Sequence, residues 1–387
     1  MDTREVGVGM LGYGIGRVHS HAWLNIPLFY GPTPAVPKLH AICGRNSARI
    51  AELARVFGFR RTCSDWRDLV KDPAVEILDN CAPPNLHAEP SIMAAEEGKA
   101  VLCEKPLART AEEAYQIYRA AEKSGSKGMT GFTYRFAPAV KLAKDLIESH
   151  KLGRIFNIRC SYLNVESGNG GYLDPSYQLR WRFDHSLAGH GAIADLGSHA
   201  LDMATFLLGD VVAVCGATQT FVKERPLQED PAKKGPVTVD DATVACLKFK
   251  SGALGTLEAS WMAAGPKDFF FFEVNGSQGS VRFNLERMNE LEVYLRDSPE
   301  VAGFRNVLVT SGKHPYMDRF WVDQGGGFSW NHMFVVELKH FLDCVVNDRE
   351  IGPAGATLRD GYVNSLLIDS MVESSRTGRW IEIEPKH

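Results

Sequence analysis

The chain has 387 residues, too many for one ordinary core, so two domains are expected, each able to bury a sizeable interior. With 44% hydrophobic and 23% charged residues and a net charge of -4, the composition is that of a soluble globular protein with no basic face for nucleic acid. No apolar run approaches the ~20 residues of a membrane helix, the start MDTREV carries no secretory signal, and the eight cysteines lack any CxxC spacing, so a cytoplasmic protein without structural zinc, membrane or nucleic-acid partner is expected.

The first part of the chain alternates strand and helix signals. Val6 to Leu11 reads as a strand, Gly16 to Leu24 as the start of a helix, Lys38 to Cys43 as a second strand and Ser47 to Phe57 as an amphipathic helix. A short helical turn at Asp65 to Lys71 precedes a strand at Ile77 to Cys81. A helix from His87 to Glu97, closed by Gly98, leads to the strand Ala100 to Cys103; Thr110 caps a helix to Ser124, and Gly128 to Thr133 is the next strand. Such alternation means right-handed βαβ units and a mostly parallel sheet covered on both faces.

After Tyr134-Arg135 and a helix at Pro138 to Ser149, strand signals follow one another: Ile155 to Leu163, Val211 to Val222, Thr243 to Phe249, Leu254 to Trp261, Phe269 to Val274, Ser280 to Asn284 and Leu291 to Leu295. Turns at Lys250 to Gly252 and Asn275 to Gly279 predict an antiparallel meander. Gly189 to Leu208 has helical periodicity, and helices at His332 to Val346 and Thr357 to Glu373 lead back towards the first domain. Glu224 to Asp240 and Lys313 to Trp330 read as mobile loops. The fold class is thus an α/β Rossmann domain over residues 1–133, then an α+β domain over 134–387 with a large, mostly antiparallel open sheet.

Two groups of residues carry chemistry. Gly12-Tyr-Gly14-Ile15-Gly16 follows a strand and opens a helix, so backbone amides can approach a pyrophosphate with Arg17 beside them; its spacing is one residue shorter than GxGxxG. The second strand ends in Gly44-Arg45 where an NAD site usually has an acid, so Arg45 pairs with a 2′-phosphate, stacks on adenine or is simply solvated, and NAD and NADP both stay open. Glu104-Lys105-Pro106 closes a buried strand at the end of the sheet where ligands bind, which places Lys105 where a nicotinamide would lie. Asp195, His199 and Asp202, at spacings of four and three, share one helix face, so a carboxylate can orient an imidazole that exchanges a proton with a substrate hydroxyl. His19-x-His21 and His185 with His190 lack a matched carboxylate or cysteine set, and no metal is expected. Tyr162, Asn164, Tyr172, Tyr177, Trp261 and His332 offer stacking faces and hydrogen bonds for a sugar.

With its glycine loop, Glu104-Lys105-Pro106, Tyr134-Arg135 and Asp195-x-Gly-x-His199, the chain resembles the Gfo/Idh/MocA oxidoreductases over nearly its whole length. Ser64-Asp-Trp66, Trp181-Arg-Phe183, Glu224-Arg-Pro-Leu227 and His314-Pro-Tyr316 are similar to segments of the family's sugar dehydrogenases. The resemblance implies oxidation of a ring hydroxyl, commonly at C3 of a glucopyranose unit, with NAD, and Lys105, Asp195 and His199 as the catalytic set. It places Tyr134, Arg135, Trp181 and Arg182 near the nicotinamide and sugar, and Pro83, Asn85 and His87 at the cofactor, where Ala82-Pro-Pro84-Asn85-Leu-His87 departs from the usual Thr-Pro-Asn-x-x-His. It also implies a homodimer or homotetramer.

Overall fold

The computed structural model of the chain describes residues 3–31, 33–165, 171–297, 299–320 and 325–386. The chain divides into two compact units, each discontinuous in sequence: residues 1–136, 318–321 and 328–362, and residues 137–317, 322–327 and 363–387.

The first unit opens with β1 (Arg4–Leu11), α1 (Gly16–Tyr30), β2 (Ala35–Cys43), α2 (Ser47–Phe57), β3 (Arg61–Cys63), α3 (Trp66–Val70), β4 (Ile77–Asn80), α4 (Ala88–Glu96), β5 (Ala100–Glu104), α5 (Ala111–Ser124) and β6 (Gly128–Gly131). Local chemistry sets the helix ends. The Asn46 side chain accepts the Arg49 amide at the start of α2, Thr110 accepts that of Glu113 at the start of α5, and left-handed Gly58 and Gly125 terminate the two helices. The strands pair in the order β3-β2-β1-β4-β5-β6, all parallel. This doubly wound order reverses direction between β1 and β4, and the crevice beyond their carboxyl ends is where such sheets take ligands.

In the second unit α6 (Pro138–Glu148) and β7 (Ile155–Asn164) precede α7 (His185–Ala188), α8 (Ser198–Leu208), β8 (Val211–Gln219) and a two-stranded ribbon of β9 (Glu224–Pro226) and β10 (Lys234–Pro236). Then come β11 (Ala242–Phe249), β12 (Leu254–Ser260), β13 (Asp268–Gly276), β14 (Gly279–Asn284), β15 (Glu290–Leu295) and β16 (Arg305–Leu308). The first unit gains α9 (Trp330–Val346) and β17 (Ala356–Thr357), and the chain ends with α10 (Leu358–Thr377) and β18 (Ile381–Glu382). Among the described residues the large sheet has nine strands, ordered β16-β15-β14-β13-β7-β12-β11-β8-β18.

Four expectations change. The sheet is mixed rather than a plain meander, because β7 lies between β12 and β13 and runs parallel to β12 but antiparallel to β13. Two consecutive strands that would form a hairpin are antiparallel, so a strand inserted between them matches only one. Helix α9 belongs to the first unit, where Phe334, Leu338 and Phe341 join Trp23 and Ile26 of α1 in the core over β1 and β4. The supposed mobile loop Glu224 to Asp240 holds the β9–β10 ribbon and a buried Asp240, while the other, Lys313 to Trp330, includes residues 321–324, which lie outside the described residues. The regular helix expected from Gly189 is replaced by a π-helical turn, Ile193–Gly197, leading into α8. No described helix is long and apolar enough to cross a membrane.

Candidate active site

The first unit offers a floor made largely of main chain. Gly12 has φ of +93° and donates its amide to the Cys43 carbonyl at 2.9 Å; a Cβ there would lie 2.5 Å from the Cys81 carbonyl oxygen, so the turn after β1 admits only glycine. A Cβ on Gly14 would meet nothing within 4 Å, so the loop faces open space. Helix α1 begins at Gly16 after Ile15 with no side-chain cap and no acid in its first turn, which leaves its amides and positive pole available. An uncapped terminus under an open glycine loop fits the pyrophosphate of a dinucleotide. Gly44 and exposed Arg45 follow β2 beside that loop, Gly44 close to the Tyr13 ring.

At the end of β5 the Glu104 carboxylate is nearly buried, and its Oε2 accepts the Lys105 amide at 3.0 Å. Behind it lies a buried cluster. The His19 ring meets Asp79 with Nδ1 at 3.0 Å and Glu104 with Nε2 at 3.0 Å, and Trp23 Nε1 donates to Asp79 at 2.8 Å. Burial alone would push the imidazole down, but the Asp79 carboxylate and, after it, Cys81 together hold His19 well above the usual histidine range.

Several residues expected at the cofactor or substrate have other duties. His87 is buried with its two ring nitrogens 2.9 Å from the Pro106 carbonyl and 2.7 Å from that of Ala82, tying the turn of Pro83 and Asn85 to the Lys105 loop; burial pushes its ring down, towards the neutral form. Arg135 is buried in the first unit, its Nη1 3.3 Å from the Gly355 carbonyl and 3.4 Å from Asp360, and Tyr134 beside it is also buried. His332 sits in the first turn of α9, where its Nδ1 accepts the Ser329 amide and its ring packs on Phe29, Phe320 and Phe328. The half-buried ring thus serves as a helix cap inside an aromatic cluster, a duty that the sequence reading did not give it.

The second unit brings the other residues together. A cleft of about 690 Å³ is lined by Asn164, Tyr172, Arg182, Asp195, Trp261 and Asp268, among others. Trp261 Nε1 donates to Asp195 Oδ2 at 3.3 Å, and the Trp261 and Tyr172 rings meet edge to face at 5.1 Å. Arg182 stacks on Trp181, 4.5 Å from its ring centre, and lines this cleft. Buried His199 packs its ring on Tyr162 at 5.7 Å, and the Tyr162 hydroxyl donates to Asp268 at 2.7 Å.

One organising residue escaped the sequence reading. Asp240 accepts the amides of Gly191 at 2.7 Å and Ile193 at 2.9 Å and the Thr243 hydroxyl at 3.1 Å, gripping the start of the turn that carries Asp195. Burial pushes its carboxyl up, against the pull of the Ile193 and Gly191 amides. A Cβ on Gly191 would fall 1.9 Å from the Asp240 carbonyl oxygen, so this contact requires glycine. The π-helical turn itself, a feature common at functional sites, is where Asp195 sits.

Comparison with known proteins agrees with this division. Residues 6–132 match the oxidoreductase family with an NAD-binding Rossmann fold, and residues 140–282 match the GFO/IDH/MocA C-terminal domain. The chain is 38% identical to the levoglucosan dehydrogenase of Pseudarthrobacter phenanthrenivorans, covering 98% of both chains. It is 30% identical to the scyllo-inositol 2-dehydrogenase (NADP(+)) of Bacillus subtilis, over 99% of this chain and 97% of the other. A solved levoglucosan dehydrogenase in complex with NADH and levoglucosan superposes with a TM-score of 0.93 at 38% identity, over 99% of this chain and all (100%) of that one. Built on a dinucleotide-binding unit and a matching second domain, the chain belongs to the Gfo/Idh/MocA family of NAD(P)-dependent oxidoreductases.

Proposed function

We propose that the protein is a sugar dehydrogenase that oxidises a ring hydroxyl, at C3 of a glucopyranose, glucoside or anhydrosugar, to a ketone. The observation that carries this reading is the cleft of the second unit. The Tyr172 and Trp261 rings border it, Asn164, Arg182 and Asp268 supply polar groups for the hydroxyls of a pyranose, and Asp195 stands in the wall. The 38% identity to a levoglucosan dehydrogenase supports the same substrate class.

Gly12, Gly14 and Gly16 with the start of α1 hold the pyrophosphate of the dinucleotide, whose nicotinamide when bound supplies the acceptor for the two electrons and hydrogen leaving the carbinol carbon. His199 takes the proton of the substrate hydroxyl, and the O–H electron pair becomes the second carbon–oxygen bond. Lys105 stabilises the negative charge that builds on that oxygen. Asp195 orients the imidazole or the hydroxyl. The open, nine-stranded sheet exposes Val244 and Leu254 at 54% and 58% on strands that alternate buried and exposed residues, which supports pairing of two copies into a homodimer or homotetramer.

One observation favours a second reading: exposed Arg45 stands where an acid would select NAD, which suits an NADP-linked reductase of a keto- or anhydro-sugar. Absorbance of reduced nicotinamide with levoglucosan, glucose, glucosides and inositols, tested against NAD and NADP separately, decides between them. Reduction of NAD by a pyranose is the expected result. Turnover with NADP alone moves the protein to the reductase reading, and dinucleotide binding without turnover of any sugar overturns both.

A further inference from the structure

The buried cluster beneath Lys105 has no place in the chemistry above, yet it is costly to build. His19 and Asp79 are 0% exposed and Glu104 only 7%, and isolated charges are strongly disfavoured at such sites. Each of these groups is nevertheless satisfied. Asp79 takes His19, the Trp23 indole and the Cys81 thiol, the last at 3.3 Å, and Glu104 takes the other face of His19. Glu337 of α9, also 0% exposed, completes the surroundings; burial pushes its carboxyl well up, towards the neutral form. A protonated imidazole between two carboxylates donates from both nitrogens, which fixes the Glu104 side chain from below. The other Glu104 oxygen accepts the Lys105 main-chain amide.

We propose that His19, bridging Asp79 and Glu104 inside the first unit, is a positioning residue for Lys105: it immobilises the Glu104 carboxylate that holds the Lys105 amide, and so sets where the lysine ammonium stands. The proposal rests on the assignment of Lys105 to the reacting hydroxyl. His19 lies in α1, Asp79 in β4 and Glu104 in β5, so the bridge also ties the helix that starts at the glycine loop to the strand that ends in the lysine. Small displacements of a group acting on the reacting atoms cost roughly 100-fold in rate, which is the scale of effect available to such a support.

The test is a double-mutant cycle on the full chain with levoglucosan and NAD, measuring kcat, KM and NADH affinity for K105A, H19Q and the pair. Expected are a large loss for K105A, a loss of kcat of roughly 10- to 100-fold for H19Q with NADH affinity unchanged, and no further loss when H19Q is added to K105A. Equal losses in both backgrounds overturn the proposal, because they show His19 supporting the fold in general. Full activity of H19Q overturns it while leaving the role of Lys105 intact; full activity of K105A removes the reading on which it rests. Should H19Q fail to fold, D79N keeps the shape of the cluster and weakens its hold on the ring, and unchanged kcat in D79N overturns the proposal. The donor atoms of His19, Asp79 and Cys81 lie within 4.8 Å of one another, so metal content is measured as well. Stoichiometric metal in the wild-type protein, lost in H19Q, replaces the hydrogen-bonded bridge with a metal site and overturns the proposal too.

Discussion

The two units build their binding surfaces from different materials. In the first, the surface is main chain: a glycine turn pressed on Cys81, an uncapped helix start and a lysine loop held by its own amide, with charged side chains buried underneath as supports. In the second, the surface is side chain, with Trp261, Tyr172 and Asp195 in the cleft and the main chain held from behind by Asp240. A cofactor that is the same in every turnover suits a site of fixed backbone donors, whereas a substrate that distinguishes one enzyme from its relatives suits exchangeable side chains. Substitutions in the two units should therefore fail in different ways.

The largest effect is expected at the proton-handling group. H199A should lower kcat by ~10²–10⁴-fold with NADH affinity preserved, and stopped-flow or steady-state turnover near the wild-type level breaks the assignment. Next comes the main-chain floor. G12A places a methyl 2.5 Å from the Cys81 carbonyl oxygen on a residue with φ of +93°, at a strain on the order of 1–3 kcal/mol. NADH titration should show weakening of about tenfold or more, with a lower Tm, while an unchanged affinity would mean that the loop does not carry the pyrophosphate.

Two smaller effects sharpen the contrast in the second unit. D240N leaves one acceptor oxygen where the carboxylate now serves the Gly191 and Ile193 amides, so a stability loss of about 1–2 kcal/mol is expected. Turnover should fall alongside it with NADH affinity constant; an altered NADH affinity contradicts the division of labour between the units. W261F keeps the ring but removes the 3.3 Å hydrogen bond to Asp195, which should lower kcat roughly fivefold, the equivalent of about 1 kcal/mol. A change in KM without one in kcat would make Trp261 a sugar contact rather than an orienter of the reacting Asp195.

Much of this was readable along the chain wherever one segment contains the whole signal. The glycine turn, the strand before Lys105 and the spacing of Asp195 and His199 are local patterns, and the order of helices and strands in the first unit follows from their alternation. What the sequence conceals depends on distant partners. His19 invites a metal reading through its neighbour His21, but its partners are Asp79 and Glu104, which only the sheet brings to it. Asp240 looks like part of a polar loop because its amide partners lie at Gly191 and Ile193. His332 looks like a free ring because the phenylalanines around it, apart from Phe328, come from other segments of the chain. Helical spacing likewise cannot distinguish a π turn from an α turn at Asp195, since residues four apart share a face in either.

The insertion of β7 between β12 and β13 bears on how the second unit reaches its native state. Leu254 of β12 pairs with Asn157 of β7, a contact that closes a loop of roughly a hundred residues, and loop-closure entropy must be met before such a pairing returns any stability. The short β12–β13 connection therefore cannot zip up alone: its two strands find native neighbours only when a segment synthesised much earlier takes the seat between them. Until then the facing edges of β12 and β13 stand unpaired at the centre of the future sheet, and the nascent chain's exposure to misassembly is set by the lifetime of that gap.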